Sequence, residues 1–410
     1  MRYNDASSFY KKLFNEKVYK ISLDGGMSCP NRDKNKNGGC IFCSSGGSGD
    51  FAVKYSGDIR NQINSAIKLV ENKGAKKYIA YFQSYTNTFA PIDYLRKLFF
   101  SAIEDDRIIA LSIATRPDSI SDDCLKLLAE LNKKKKVFVE LGLQTSSNKT
   151  AIYINRGYDS SVYINTCKRL KEIGINIITH LIIGLPGEGD IDLLNSINFI
   201  NEYTDGVKLQ LLHILKNTKL EEIYNSGLYE PLELNEYKRL LALAINHLNP
   251  NIVVHRITGD GPKDLLVSPL YSLDKKRVLS NINTYFKNND VRQGKYYKKI
   301  VHRMNLDNKP YISIKNKEKT IEMRLNDEKR SLINIGDYIE FKNNDTYELL
   351  LVKVINIYKY KDFNELYLNH NKISIGYKDS EDADPKDMNK YYSIEKISKY
   401  GVIGIEVEVI

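Results

Sequence analysis

The chain has 410 residues, of which 42% are hydrophobic and 27% are charged, and its formal net charge is +10. This length exceeds one ordinary core, so about two domains are expected, and the composition is typical of a globular protein. No apolar run approaches the roughly 18 residues that a membrane span needs. The first residues lack the apolar segment of a secretory signal, so we expect a cytoplasmic protein with reduced thiols.

The positive charge is unevenly distributed along the chain. Residues 296–410 contain 20 Lys and Arg against 19 Asp and Glu, so almost the whole excess lies before residue 296. A basic N-terminal region is compatible with a polyanionic partner such as nucleic acid.

The first stretch that carries chemistry is a cysteine loop, Cys29–Cys43. It contains three cysteines, while Cys124 and Cys167 lie in helical segments and are expected to be core residues. Three clustered thiols indicate metal or cluster ligation, because a disulfide would leave one thiol over. Structural zinc needs four closed ligands, and the first histidine of the chain is His180. Three thiolates suit a [4Fe-4S] cluster that keeps one iron open, and zinc with a distant fourth ligand is the alternative.

After this loop, helical and strand patterns alternate as far as residue 255. The predicted helices are Asp58–Lys73, Pro91–Ala102, Asp122–Leu131, Ser160–Ile173, Ile191–Tyr203 and Leu234–Leu248. The predicted strands are Lys77–Phe82, Ile108–Ala114, Val137–Leu143, Ile175–Ile183, Val207–Leu212 and Ile252–His255. This alternation is typical of βα units around a buried parallel sheet, and it predicts an α/β fold, a partial TIM-type barrel of the (β/α)6 kind.

Polar residues follow the predicted strands at one end of the sheet. They are Gln83–Asn87, Thr115–Asp118, Gln144–Ser146, Gly184–Glu188 and His213. Because the working residues of such sheets lie at the carboxyl ends of the strands, we expect these segments to form the wall of one pocket.

A polar stretch over residues 281–299 predicts a boundary, which divides the chain into domains at 1–297 and 298–410. Beyond it the apolar period changes to 2, which predicts strands at Tyr311–Ile314, Asp337–Phe341, Leu349–Ile357 and Ile403–Val409. The second domain is therefore expected to be a small β-barrel.

The cysteine loop and the strand ends together resemble the radical S-adenosylmethionine (SAM) superfamily. The long gap between Cys29 and Cys40, with Phe42 before Cys43, is similar to an elongator-protein-3-like subgroup, the YhcC/YtqA type. The motifs that carry this resemblance are Cys29-Pro-Asn-Arg32, Tyr81-Phe-Gln-Ser-Tyr-Thr-Asn-Thr88, Ala114-Thr-Arg-Pro-Asp118, Glu140-Leu-Gly-Leu-Gln-Thr145, Asn155-Arg-Gly157, Gly184-Leu-Pro-Gly-Glu188 and His255-Arg-Ile-Thr-Gly-Asp260.

The resemblance implies that Cys29, Cys40 and Cys43 hold a [4Fe-4S] cluster whose open iron chelates SAM. One electron, from a donor such as flavodoxin or ferredoxin, would cleave SAM to methionine and a 5′-deoxyadenosyl radical that abstracts a substrate hydrogen. The residues that it implies for cofactor binding are Phe42, Gln83, Ser84, Asn87, Arg116, Glu140, Gln144, Gly184, Leu185 and Pro186.

Three of these assignments have structural alternatives. Glu140 could be a buried carboxylate paired with Arg116, and Gly184 could belong to a simple strand-to-helix turn. His180 and His213 are candidates for acid–base catalysis, whereas a lone histidine is more often a satisfied core residue.

The second domain resembles an ASCH domain, a small PUA-like β-barrel associated with RNA. The matching segments are Lys317-Glu-Lys-Thr-Ile-Glu-Met-Arg324, Gly336-Asp337 and Tyr400-Gly-Val-Ile-Gly404. Lys319, Glu322 and Arg324 are the candidate RNA-binding residues. Strand alternation would keep them from all sharing one face, and a solvated, ion-paired sheet edge is the alternative.

The basic first domain and the RNA-associated second domain favour an RNA substrate. The subgroup's link to the wobble-uridine side chain makes tRNA modification the specific hypothesis. Two alternatives remain, namely a radical SAM enzyme that acts on a small metabolite, and a non-catalytic nucleic-acid-binding protein with structural zinc.

Overall fold

The structure is a computed structural model, and it describes residues 2–33, 38–47, 49–55, 57–259, 261–297 and 301–410. The chain divides into two compact units, Met1–Tyr297 and Lys298–Ile410. Nowhere in these described ranges is a helix long and apolar enough to cross a bilayer.

Strands and helices alternate along the first unit. The strands are Val18–Leu23 (β1), Lys77–Phe82 (β2), Ile108–Thr115 (β3), Lys136–Gln144 (β4), Asn176–Ile183 (β5), Gly206–Leu211 (β6), Ile214–Leu215 (β7), Val253–Arg256 (β8) and Leu266–Ser268 (β9). The helices are Ala6–Phe14 (α1), Ile59–Lys68 (α2), Ile92–Ile103 (α3), Asp122–Lys134 (α4), Asn148–Tyr153 (α5), Ser160–Glu172 (α6), Asp190–Ile200 (α7), Lys219–Asn225 (α8), Leu234–His247 (α9) and Lys275–Asn288 (α10).

A seven-stranded parallel sheet, in the order β1-β2-β3-β4-β5-β6-β8, forms the centre of this unit. Its strands are neighbours in chain order, as expected when helices connect successive parallel strands. The sheet curls into a half-barrel, which confirms the predicted α/β partial barrel. On β4, Val137 and Val139 lie in the main apolar core, while the alternate residue Glu140 lines the cavity described below.

The N-terminal segment covers the β8 edge of the sheet. The backbone N–H of Val254 donates to the carbonyl of Asn4 at 2.7 Å. Gln293, near the end of the unit, accepts from the Asn4 N–H at 2.8 Å and donates to the carbonyls of Asn249 and Ile252 at 2.7 Å each. Residues near the start and near the end of the unit therefore close this edge together.

Two features of the first unit differ from the sequence prediction. Helix α1 and strand β1 precede the cysteine loop and were not predicted. The expected boundary segment is helical as far as Asn288, because α10 buries Val278, Ile282 and Phe286, which are spaced four residues apart on one face. The polar residues between them face away from this core.

The second unit is a mixed sheet with short helices. The strands are Val301–Leu306 (β10), Ile321–Leu325 (β11), Tyr338–Asn343 (β12), Leu349–Tyr360 (β13) and Val402–Val409 (β14), and the helices are Asn308–Lys315 (α11), Phe363–Asn369 (α12) and Ile394–Tyr400 (α13). The sheet order is β10-β12-β13-β14-β11, in which only β10 and β12 run parallel. This sheet also curls into a half-barrel.

The strand predicted at Tyr311–Ile314 is wrong, because these residues lie in helix α11. Tyr311 and Ile314 are buried, whereas Ile312 is exposed. Burial of two residues three apart fits one helical face, and a strand would have buried alternate residues instead.

Candidate active site

The carboxyl ends of the parallel strands surround a cavity of about 250 Å³. Cys29, Cys40 and Cys43 line it, together with side chains at the ends of β2 to β6. Four of the five polar segments that the sequence analysis grouped together therefore contribute to one site with the cysteine loop, whereas Gly184–Glu188 is not among the described segments that line it.

Neighbouring segments of the first unit hold the cysteine loop by backbone hydrogen bonds. The Cys43 N–H donates to the Cys40 carbonyl at 3.0 Å. The Ile41 N–H donates to the Ile154 carbonyl at 3.1 Å, and the Ile41 carbonyl accepts from the Leu220 N–H at 2.9 Å. The turn that follows α5 and the first turn of α8 thus fix the part of the loop that carries two of the thiols. Residues 34–37 of the loop lie outside the described residues.

The donor set fits an iron–sulfur cluster with one open iron. All five cysteines are described, and none forms a disulfide. Burial, and after it the neighbouring Cys43, raise the pKa of the Cys40 thiol to about 12, so that a bound metal or cluster must displace this proton. Within the described residues, no three His, Cys, Asp or Glu side chains are grouped to hold a single metal ion. A cluster does not need that convergence, because its cysteines bind different irons.

The cavity gathers most of the predicted site residues. Besides the three cysteines, the predicted residues that line it are Phe42, Gln83, Arg116, Glu140, Gln144, His180 and His213. Five other predicted residues are not among the described residues that line it, namely Ser84, Asn87, Gly184, Leu185 and Pro186. Asp260, which ends one of the predicted motifs, lies outside the described residues.

The residues away from the cavity have structural contacts of their own. Asn87 is fully buried, and its Nδ2 donates to the carbonyls of Phe82 and Ala114, at the ends of β2 and β3, at 3.1 and 2.9 Å. The Gly184 carbonyl accepts from the Tyr229 hydroxyl at 2.7 Å. These contacts hold the strand ends in place, and the cofactor-binding roles of Asn87 and Gly184 stay predictions.

Glu140 is the centre of a buried charged network on the concave face of the sheet. Its Oε1 accepts from Lys20 Nζ at 2.6 Å and from Ser112 Oγ at 2.5 Å. Its Oε2 pairs with Lys208 Nζ and with His180 Nε2, the latter at 2.7 Å. Burial acts to raise the pKa of Glu140, but Lys20, Lys208 and His180 together hold it well below its usual range. The carboxylate is therefore ionised.

The alternative pairing of Glu140 with Arg116 is wrong. The Arg116 guanidinium donates to both carboxylate oxygens of Asp118, at 2.9 and 2.7 Å, and to the Arg156 carbonyl at 2.8 Å. It also lies over the Tyr158 ring, 5.0 Å from its centroid. Arg116 is thus held at the end of β3 by its own local partners.

The two candidate acid–base histidines are in different surroundings. Burial lowers the pKa of His180 to about 4, so its imidazole is neutral at pH 7 and donates from Nε2–H to the ionised Glu140. His213 lies against Gly259, where an added Cβ would come within 2.3 Å of the His213 ring. The single ring N–H of neutral His180 is already bonded to Glu140. The catalytic roles of His180 and His213 stay predictions.

Sequence reasoning missed the cationic partners of Glu140. Lys208 Nζ donates to the Tyr81 hydroxyl at 3.0 Å and lies 4.5 Å from the centroid of that ring. Burial lowers the pKa of Lys208 to about 7, against the opposing effect of Glu140. Lys208 is a charged residue within a predicted strand otherwise read as apolar, and this is a signal that it has a buried partner, although not which one. Lys20 lies in β1, which was not predicted.

The second unit has a cavity of about 390 Å³ of its own, lined by the predicted RNA-binding residues. Glu322 pairs with Lys319 Nζ at 2.8 Å and with Arg324 Nε at 2.7 Å. The alternative of a solvated, ion-paired edge is right about the ion pairs but wrong about the solvation, because Lys319 and Glu322 are buried. The three residues also meet on one side, because Lys319 precedes β11 and is not bound by strand alternation. Four tyrosines line the same cavity, namely Tyr367, Tyr377, Tyr391 and Tyr392.

Comparison with family models supports both resemblances drawn from the sequence. The model described as "Radical SAM superfamily" matches residues 36–200, and that of the radical SAM C-terminal domain matches residues 204–288. The ASCH domain model matches residues 304–410. The recognition made from the motifs is confirmed.

The chain is also similar to individual proteins. The chain is 40% identical to YtqA of Bacillus subtilis over 73% of its own length and 94% of that protein. It is 28% identical to the tRNA uridine(34) acetyltransferase of Methanocaldococcus jannaschii over 40% of its own length and 30% of that protein. A solved structure of Elp3 from Methanocaldococcus infernus is similar with a TM-score of 0.51 and 17% identity, over 82% of this chain and 78% of that one.

Proposed function

Since the chain belongs to the radical SAM superfamily, whose members bind a [4Fe-4S] cluster and SAM, we propose that it modifies the side chain of a wobble uridine in tRNA. Membership of this superfamily makes the chain an enzyme of that class, and it overturns the alternative of a non-catalytic zinc protein. The observation that carries the proposed enzyme chemistry is the cavity at the strand ends. Three thiols and the Glu140 network line this one space.

When bound, the cluster and SAM supply reductive cleavage and hydrogen abstraction. The residues that would hold the cluster are Cys29, Cys40 and Cys43. Phe42, Gln83, Arg116 and Gln144 line the space beside them and are candidates to orient SAM. The electron would come from a protein donor such as flavodoxin or ferredoxin.

Two observations support tRNA as the substrate. A relative at low identity is named as a tRNA uridine(34) acetyltransferase. The ASCH domain gives the chain a second cavity, in which a buried ion-paired group lies among tyrosines. Aromatic rings and a fixed guanidinium suit an unstacked base, so we assign RNA contact to Lys319, Glu322 and Arg324.

The cofactor half of the proposal is tested with anaerobically purified full-length protein. We expect iron and sulfide in cluster stoichiometry, and reduced protein should convert SAM to 5′-deoxyadenosine. Cys40→Ala should abolish that product, while Cys124→Ala, which removes a buried core thiol, should retain it. Stoichiometric zinc without iron or sulfide would contradict the proposal.

The substrate half is tested by comparing tRNA nucleosides from cells with and without the protein. We expect one modified uridine to be replaced by its precursor, and the wild-type gene but not Cys40→Ala should restore it. Unchanged nucleosides beside intact SAM cleavage would favour a small-metabolite substrate instead.

A further inference from the structure

Two sequence motifs without an assigned role meet beside the cysteine loop. They are Cys29-Pro-Asn-Arg32 and Asn155-Arg-Gly157. Asn31 Nδ2 donates to the Asn155 carbonyl at 2.6 Å, and Asn155 Nδ2 donates to the Gly39 carbonyl at 2.8 Å. The two asparagine amides thus connect the turn after α5 to the cysteine loop at two points, Asn31 and Gly39.

The turn is shaped to receive Asn31. Asn155 and Gly157 have φ values of 53° and 83°, in the left-handed region that Asn tolerates and Gly favours. A Cβ on Gly157 would lie 2.8 Å from Asn31 Oδ1 and 3.4 Å from an Arg116 nitrogen. Only glycine leaves room for the asparagine amide at this distance.

Arg156 fixes the turn to the sheet. Its side chain is fully buried, and its Nη1 donates to the carbonyls of Leu143 and Thr145 at 2.7 Å each. Hydrogen bonds from a buried guanidinium to strand-end carbonyls make a rigid anchor, because leaving that charge unsatisfied would be costly. The position of Asn31 is therefore set by the end of β4.

Asn31 also faces one of the thiols. Its Nδ2 lies 3.8 Å from Cys40 Sγ, within hydrogen-bonding distance for sulfur. An amide NH2 carries two donors, so the bond to the Asn155 carbonyl leaves one N–H for the sulfur. Hydrogen bonds to cluster sulfurs stabilise the more negative, reduced state and are one of the protein's means of setting the potential.

We propose that Asn31 donates a hydrogen bond to Cys40 and raises the reduction potential of the cluster, while Asn155 and Gly157 hold the donor in place. This inference rests on the proposed function, in that Cys40 must be a cluster ligand. Asn31 and Asn155 are positioning and tuning residues, and neither is placed in contact with substrate.

The test is an EPR-monitored redox titration of reconstituted full-length protein, preceded by iron and sulfide analysis. Asn31→Leu keeps the side-chain size but removes the donor, so we expect a retained cluster with a more negative midpoint potential. Asn31→Asp, which adds negative charge near the sulfur, should shift it further in the same direction. Asn155→Ala should give a smaller shift. The matched control is Asn132→Leu, because Asn132 does not line the cavity and its amide donates to the Gly174 carbonyl at 3.2 Å. The midpoint potential of the cluster in this variant should equal that of the wild type.

An unchanged potential in Asn31→Leu with an intact cluster overturns the inference, whereas wild-type protein without iron and sulfide overturns the proposed function instead. If the Asn31 variants fail to assemble a cluster, pulsed EPR of reduced wild-type protein labelled with [¹⁵N]asparagine measures the same contact. A ¹⁵N hyperfine coupling supports the inference, and its absence overturns it.

Discussion

Each unit of the molecule holds a buried glutamate between two cations at the wall of a cavity, but the two clusters are built differently. Glu140 is paired with Lys20 and Lys208, which come from other strands and lie more than sixty residues away in sequence. Glu322 is paired with Lys319 and Arg324, its neighbours on the same segment. The first cluster exists only when the half-barrel is assembled, whereas the second needs little more than β11 and the residues before it.

This difference sets how much stability each unit loses when its glutamate is replaced. Glu140 is fully buried and has four side-chain partners on four other strands, so its removal leaves four groups without their shared acceptor. Within the described residues, Glu322 has two ion-pair partners, both on its own segment. We therefore expect the same substitution to cost more in the first unit than in the second.

The largest effect is expected from Glu140→Ala. It leaves Lys20 and Lys208 facing each other without their shared counter-charge, and breaking a buried ion pair from one side costs about 3–5 kcal/mol. Urea denaturation, with limited proteolysis to assign the unit that unfolds, measures this loss. A cost below about 1 kcal/mol, the size of an ordinary substitution, would mean that the network contributes little.

Glu322→Ala should have the next largest effect, about 2 kcal/mol, because two charge-assisted hydrogen bonds are lost, whereas Glu140→Ala removes the acceptor of four partners. Hydrogen exchange should increase in the second unit and stay unchanged in the first. Faster exchange in both units would contradict a cluster whose effect is confined to the second unit.

Glu188 is a third carboxyl to set beside Glu140 and Glu322. Its nearest described partners are hydroxyls and not cations. Thr145 Oγ1 donates to it at 2.5 Å, and burial raises its pKa to about 7. A carboxyl whose pKa is higher in the folded state binds more protons there, so stability falls as pH rises from about 4.5 to about 7.

Glu188→Gln, which is neutral at every pH, should remove this loss. Its melting temperature relative to wild type should therefore increase between pH 5 and pH 8, by an amount equivalent to roughly 1–2 kcal/mol after screening by solvent. Thermal denaturation at a series of pH values tests this, and parallel curves for the two proteins would contradict it.

The smallest effect is expected from Tyr81→Phe. The substitution removes one hydrogen bond to Lys208 but keeps the ring beneath its ammonium group, so we expect a cost of about 1 kcal/mol. Equilibrium unfolding measures it, with Tyr78→Phe, a buried tyrosine of the same strand that donates to a backbone carbonyl, as the matched control.

The sequence predicted most of the fold because its signals are local. Apolar periodicity gave the alternating elements of the half-barrel, and its change to a period of 2 indicated strands β12 and β13. It failed at Tyr311–Ile314, where four residues are too few to separate a period of 2 from a helical face. Strand β1 was missed because Tyr19 and Lys20 interrupt its apolar pattern.

The candidate site was predictable in part for a similar reason. The three cysteines are close in sequence, so their spacing alone indicated a ligand set. The partners of Glu140 could not be read off, because the register between strands decides which inward-facing residues meet. The amide contact between Asn31 and Asn155 joins residues 124 positions apart, and nothing local to either motif indicates it.

The closure of the β8 edge by Asn4 has a consequence for synthesis. A ribosome delivers residues 2–5 before the rest of this unit, and their hydrogen-bonding partners at Val254 and Gln293 emerge only about 250 to 290 residues later. At some 5–20 residues per second, the leading segment waits on the order of 10 to 60 s before its pairing partners exist. During that interval the growing sheet has an unpaired edge of the kind that chaperones bind, and completing the first unit is a late, long-range step in its folding.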